Sequence, residues 1–212
     1  MTNEQYVLSF TAGGLLYHES ITVAETYSKC RRWDETINQI NDQNLLQSRV
    51  QSTTVRKLRE ICHRLKGLSN EGIELLINGS RSEQNMLLWL ACCKRYKLLA
   101  EYAKEVLHDK FIRLDFAMTV ADVDRFMDAK SLWHEELENI TDNTKTKLQT
   151  VMMRMLREAE LISKDDIIQP KLLSANLVRV IANDSVELFA LFPISETAVS
   201  YTHLTLPTTP YV

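Results

Sequence analysis

Residues 143–162 read NTKTKLQTVMMRMLREAELI, and their spacing separates an apolar helical stripe from a basic, hydroxyl-rich face. Leu148, Val151, Met152, Met155, Leu156 and Ala159 recur at intervals of three and four, which places them on one side of a helix. The opposite side carries Asn143, Thr146, Lys147, Thr150, Arg154 and Arg157, with no Asp or Glu before Glu158. Such a face offers cations and hydrogen-bond donors to phosphate oxygens and base edges. Thr141 or Asp142 can cap the start of this helix. Past its end, the polar turn Ser163-Lys164-Asp165-Asp166 precedes apolar Ile167-Ile168, which predicts a small β-hairpin. Upstream, Thr119 and Asp122 have capping-box spacing ahead of the amphipathic run Val123, Phe126, Met127. Helix, turn, basic helix and hairpin, in that order, predict a winged helix-turn-helix whose second helix occupies the major groove. An ordinary helical hairpin with a solvated basic face fits the same residues.

A second helix divides in the same way. Over residues 49–66, RVQSTTVRKLREICHRLK, the apolar face is Val55, Leu58, Ile61, Cys62 and Leu65, and Gly67 is a natural stop. Its outward face carries Arg49, Thr53, Arg56, Lys57, Glu60, His63 and Arg64. Within residues 49–66 six basic side chains oppose Glu60 alone, whereas within residues 115–142 eight acidic ones oppose Arg125 and Lys130. The formal net charge of the 212-residue chain is −3, so a nucleic-acid site must be a local patch rather than a bulk field. The candidate DNA contacts are therefore Arg49, Thr53, Arg56, Lys57 and Arg64 on one helix and Asn143, Thr146, Lys147, Thr150, Arg154 and Arg157 on the other. Lys164, in the expected wing, completes the set.

The remaining periodicity predicts a mainly α fold, a compact helical bundle. Short packed helices are expected over residues 9–44, with breaks near Ser20 and Arg32, and another over 70–77, bounded by Gly67 and the Asn78-Gly79 turn. A long helix from Ser82 to Leu107, apolar around much of its circumference, is expected at the centre of the core. Ser174 can cap a helix over 175–182, and residues 186–192 read as a strand before Pro193. The expected organisation is an N-terminal helical domain over 1–110 and a winged-helix-like domain over 111–198. Residues 199–212, VSYTHLTLPTTPYV, contain no Asp, Glu, Lys or Arg and resemble a translated sequencing-library adaptor, so they are read as a non-native tail and left out of the fold.

Cys30, Cys62, Cys92 and Cys93 show no CxxC spacing and read as reduced thiols. The histidines are scattered without HExxH, so no metal or other cofactor is expected. Gly13-Gly14 neither follows a strand nor matches a P-loop, and the acidic pairs Glu135-Glu136 and Asp165-Asp166 read as solvated surface. Enzyme activity is not expected. Trp33, Trp89 and Trp133 each sit among apolar neighbours and are read as core anchors, and Met152 and Met155 as core. The start MTNEQY is not a leader, and the longest apolar run, over 86–93, is far short of the ~20 residues of a membrane span, so a cytoplasmic protein without a membrane partner is expected.

Several long runs appear together in order: YVLSFTAGGLLYHES at 6–20, QNMLLWLACCKRYKLLAEYAKEVL at 84–107, VADVDRFMDAKSLWHEELENIT at 120–141 and TKTKLQTVMMRMLREAELIS at 144–163. In these the chain resembles the BrxA family, the small component of BREX phage-resistance systems, over nearly all of residues 1–196. The resemblance implies a compact, mainly helical protein with helix-turn-helix character that binds double-stranded DNA. It also implies work beside other BREX components, namely a methyltransferase, an ATPase and a phosphatase-like protein. It carries no catalytic residues. Two other readings fit the charge pattern: an interaction subunit docking through 115–142 and 49–66, and a helical RNA-binding protein of the antitermination kind.

Overall fold

A computed structural model of the chain describes residues 5–46 and 51–194. The fold is organised around α5, Arg81–Arg95, whose residues from Gln84 to Cys93 are all buried. Its start is fixed twice over. Ser80 and Glu83 form a reciprocal capping box, and the same Glu83 carboxylate accepts a 2.5 Å hydrogen bond from Ser174, the N-cap of α11, Ala175–Asp184. One carboxylate thus pins two helix starts that lie far apart in the chain. The buried Trp89 indole donates to the Leu191 carbonyl at 2.9 Å, which removes the penalty of an unmatched N–H in the core.

Before α5 come α1, Tyr17–Cys30, α2, Trp33–Asp42, α3, Gln51–Leu65, and α4, Asn70–Asn78. The expected break near Ser20 is absent: α1 runs through it, with the Ser20 hydroxyl turned back onto the Leu15 carbonyl. The break at Arg31-Arg32 is present, with Arg31 in the left-handed region. The long helix expected from Ser82 stops at Tyr96, whose extended backbone separates α5 from α6, Lys97–Tyr102. α6 continues through wider π-type turns, Ala103–His108, into α7, Asp109–Ile112. Then follow α8, Val120–Ser131, the single turn α9, Glu135–Glu138, and α10, Asp142–Glu158, before α11.

The capping signals near α8 and α10 correspond to real caps: Thr119 with Asp122 at α8, and the Thr141 hydroxyl on the Thr144 N–H at α10. The apolar stripe of α10 is buried, from Leu148 through Leu156, and belongs to the same continuous core as α5, α6 and α11. Lys145 locks α10 to α8 through Asp124 at 2.7 Å and Asp128 at 2.5 Å, with Gln149 on Asp124 beside them.

Three expectations are corrected. No β-strand occurs among the described residues; where the hairpin was expected, only isolated antiparallel bridges join Ile162 to Ile168 and Ala117 to Ile167. The paired segments are short, with Ser163 N–H on the Ile167 carbonyl and Gln169 N–H on the Leu161 carbonyl, and Pro170, which lacks an N–H, ends the pairing. The strand expected over 186–192 is a 3-10 helix, Val186–Leu191, because the Ser185 side chain accepts the Glu187 N–H and starts a turn; a short apolar run does not by itself separate the two. Trp133 is 76% exposed rather than a core anchor, since α8 has ended at Ser131 and the ring falls off its buried stripe. No helix among the described residues is long and apolar enough to cross a membrane.

Hydrogen bonds from Ser174 and Ser80 hold the Glu83 carboxyl below its ordinary range. A depressed carboxyl contributes stability that is fully present above its unfolded value and is lost as pH falls through the folded one. Glu83→Gln should therefore lower the urea midpoint at neutral pH, and its deficit relative to the parent chain should shrink below about pH 4. Urea melts of both proteins from pH 7 to 3 check this.

Candidate nucleic-acid interface

The two basic helices come together. α3, through Lys57, and α10 both line one cleft of about 800 Å³, together with the loop 11–16, the first turn of α1 and the start of α5. Lys57 comes from α3, Arg81 from α5, and Lys147, Thr150 and Arg154 from α10. Among the described lining residues, these four cations face two carboxylates, Glu19 and Glu158.

The carboxylates act as leashes. Lys57 reaches Glu19 at 3.2 Å, and Arg154 lies 3.6 Å from Glu158 one turn along its own helix. Glu158 is also tied to the loop, accepting the Leu15 N–H at 2.5 Å. Lys147 is exposed and has no acidic partner among the described residues, and neither does Arg56 on the outer surface of α3. Asn143, Thr146 and Thr150 are exposed along the same side of α10, the Thr150 hydroxyl donating back to the Thr146 carbonyl. Leu16, at φ 55°, leads into α1 at the cleft lining without a side-chain cap.

Gly13-Gly14 is explained by this wall. A side chain at Gly13 would strike Leu16, and one at Gly14 would run into the Glu158 carboxylate. The glycines let the loop pass between α1 and α10; they are not a phosphate loop. Beneath them lies Arg64, expected on the outward face of α3 but in fact 2% exposed. Its Nη1 donates to the Gly14 carbonyl at 2.7 Å and its Nε to the Tyr96 hydroxyl at 3.1 Å, and Tyr96 in turn donates to Glu60. Arg64 and Glu60 therefore brace the cleft from inside, which corrects their assignment to a surface face. Helical spacing put them one position off the buried stripe, and a polar network drew them in.

Arg157 is also engaged, its guanidinium forking onto Asp166 at 2.7 and 2.9 Å and fixing the turn that follows α10. Lys164, in that turn, is exposed. Arg49 lies outside the described residues, and Thr53 lies in α3 without a described side chain. The cleft adds Arg81, Tyr17, His18 and Asn85, which sequence reasoning missed. They occupy different helices, so no single-helix periodicity reports them. Among the described residues no group of three or more His, Cys, Asp or Glu is placed to hold a metal ion.

Arg64→Ala should cost about 1–3 kcal/mol, because the Gly14 carbonyl and the Tyr96 hydroxyl would lose their buried donor. Chemical denaturation would read this loss; a surface residue would give almost none.

Residues 4–185 match the BrxA family. Among characterised sequences, the BREX protein BrxA of Bacillus cereus (strain H3081.97) is 26% identical over 160 residues, spanning 75% of this chain and 80% of that protein. Among solved structures, an uncharacterized protein from Magnetospirillum magneticum superposes with a TM-score of 0.76 at 19% identity, covering 90% of this chain and 98% of the other, a likeness of fold.

Proposed function

Because the chain belongs to the BrxA family, and so to the BREX phage-defence systems, we propose that it is a non-enzymatic component that grips double-stranded DNA, chiefly through phosphate. One observation carries the reading: basic side chains of three helices distant in sequence, Lys57 of α3, Arg81 of α5 and Lys147 and Arg154 of α10, line one cleft, while the molecule as a whole is acidic. Lys and Arg there release counterions from the duplex, and Asn143, Thr146 and Thr150 supply hydrogen bonds that set its position. α10 is the groove-facing helix, α8 its helix-turn-helix partner, and the exposed Lys164 touches backbone from the turn that stands in place of a wing. Arg56 and Lys57 extend the contact along α3, together with Arg49 and Thr53. Arg157 positions the Lys164 turn through Asp166. Partners within the defence system are the other BREX components.

The acidic segment gives little support to a docking role. Lys110, Arg125, Lys130 and Lys145 already pair with Asp115, Asp122, Asp124, Asp128, Glu101 and Glu105.

The logarithm of duplex affinity should fall steeply with the logarithm of salt concentration. Lys147→Ala and Arg154→Ala should each flatten that slope by about one unit, whereas Arg157→Ala, whose charge is satisfied by Asp166, should leave it nearly unchanged. A salt-titrated series on duplex DNA, single strands and structured RNA checks this. Affinity indifferent to salt, or a preference for structured RNA, overturns the duplex reading.

A further inference from the structure

Part of the cleft lining has no work to do in a phosphate grip. Arg81, the first residue of α5, lays its guanidinium over the Tyr17 ring with Cζ 3.2 Å from the centroid. Tyr17 is held from below by its hydroxyl on Gln84, a buried residue of α5. His18 meets the same ring edge-on, 5.1 Å between centroids. Arg81 is exposed and has no carboxylate partner among the described residues, so its charge and its outer planar face are both open to the cleft. A guanidinium seated on an aromatic ring is a flat, cationic platform of the kind on which nucleobases stack.

Cations for a phosphate stand opposite. Lys57, Lys147 and Arg154 line the same space, with the Thr150 hydroxyl between Lys147 and Arg154 on α10. The volume of about 800 Å³ falls in the range of small-molecule sites. A base paired and stacked within a duplex has no free face to lay on such a platform; a single unstacked nucleotide has one. We propose that the cleft binds one nucleotide, its base stacked on the Arg81–Tyr17 pair and its phosphate between Lys57, Lys147 and Arg154. The nucleotide can arrive free, or as a residue unstacked from a DNA strand. Only the strand-borne source rests on the duplex reading above.

Calorimetric titration of the full chain with dAMP and with deoxyribose 5-phosphate tests the platform. The expected result is binding of dAMP about tenfold tighter than of the base-free sugar phosphate. Arg81→Ala and Arg81→Lys should both abolish that difference while leaving the melting temperature unchanged, because Arg81 is exposed and lysine keeps the charge but not the plane. Equal affinity for the two ligands, or a lysine variant that binds dAMP like the parent, overturns the inference.

A second comparison separates the sources, using a fully paired duplex and the same duplex with one bulged adenosine. An Arg81-dependent gain for the bulge identifies the strand-borne nucleotide, and dAMP binding without such a gain identifies the free one. No dAMP binding and no gain overturns the inference even where the paired duplex binds with a steep salt dependence. Binding of dAMP by a chain with no affinity for duplex sustains the inference and sinks the duplex reading instead.

Discussion

Burying a guanidinium costs several kcal/mol unless its donors are matched, and at Arg64 the matching comes from two separate parts of the chain. The Gly14 carbonyl belongs to the loop before α1 and the Tyr96 hydroxyl to the break after α5, and Tyr96 donates in turn to Glu60, one turn before Arg64 on α3. Nη2 has no partner among the described residues, so the match is strong without being complete. The consequence reaches the surface. With Gly14 held from below, Leu15 presents its N–H to Glu158, and that bond fixes the end of α10 against the loop. The cleft keeps its width because its floor is a buried hydrogen-bonded network, which packing of apolar side chains alone would not locate so narrowly.

The same economy of charge explains how an acidic protein can present a basic surface. The acidic residues of α8 lie against basic residues of its neighbours: Lys110 joins Asp115 and Asp122, Lys145 joins Asp124 and Asp128, and Lys130 bridges back to Glu101 and Glu105. Tyr6 adds its hydroxyl to Glu101 and stacks on the buried His134, binding the N-terminal segment into this network. Four of the eight acidic residues within 115–142, Asp115, Asp122, Asp124 and Asp128, thereby hold neighbouring elements together. The cations that line the cleft are those of α3, α5 and the far side of α10.

Much of this was legible in the sequence and some was not, for definite reasons. The stripe and caps of α10, the capping box of α8 and the central place of α5 follow from spacing and end signals, which are local and strong. The cleft was legible by halves: each basic helix announced itself, but nothing local says that they share a wall. Arg81 and Tyr17 meet across more than sixty residues, through a ring contact that leaves no periodic trace. Arg64 misled because a basic residue on a basic helix is normally solvated, and only the tertiary arrangement of Tyr96 and Gly14 makes burial tolerable. The expected hairpin shrank to isolated bridges on a smaller matter, arms too short for a strand, one following directly on α10 and the other stopped by Pro170.

Glu19 and Glu158 set how the cleft must choose its ligand. They stand among four cations, each holding one of them, so the field inside is positive but moderate. Glu158 cannot simply swing away, because the Leu15 N–H keeps it at the wall when Arg154 turns to another anion. A phosphate entering there gains Arg154 and Lys147 and also meets a fixed carboxylate, which cancels part of the attraction. Charge alone therefore makes a weak site. Whatever binds well must add something that Glu158 does not oppose: further phosphates along the exposed faces of α3 and α10, as a duplex supplies, or a flat ring on Arg81. On the proposed reading, the two carboxylates turn a generic cationic groove into one that selects by shape and by the number of contacts made outside it.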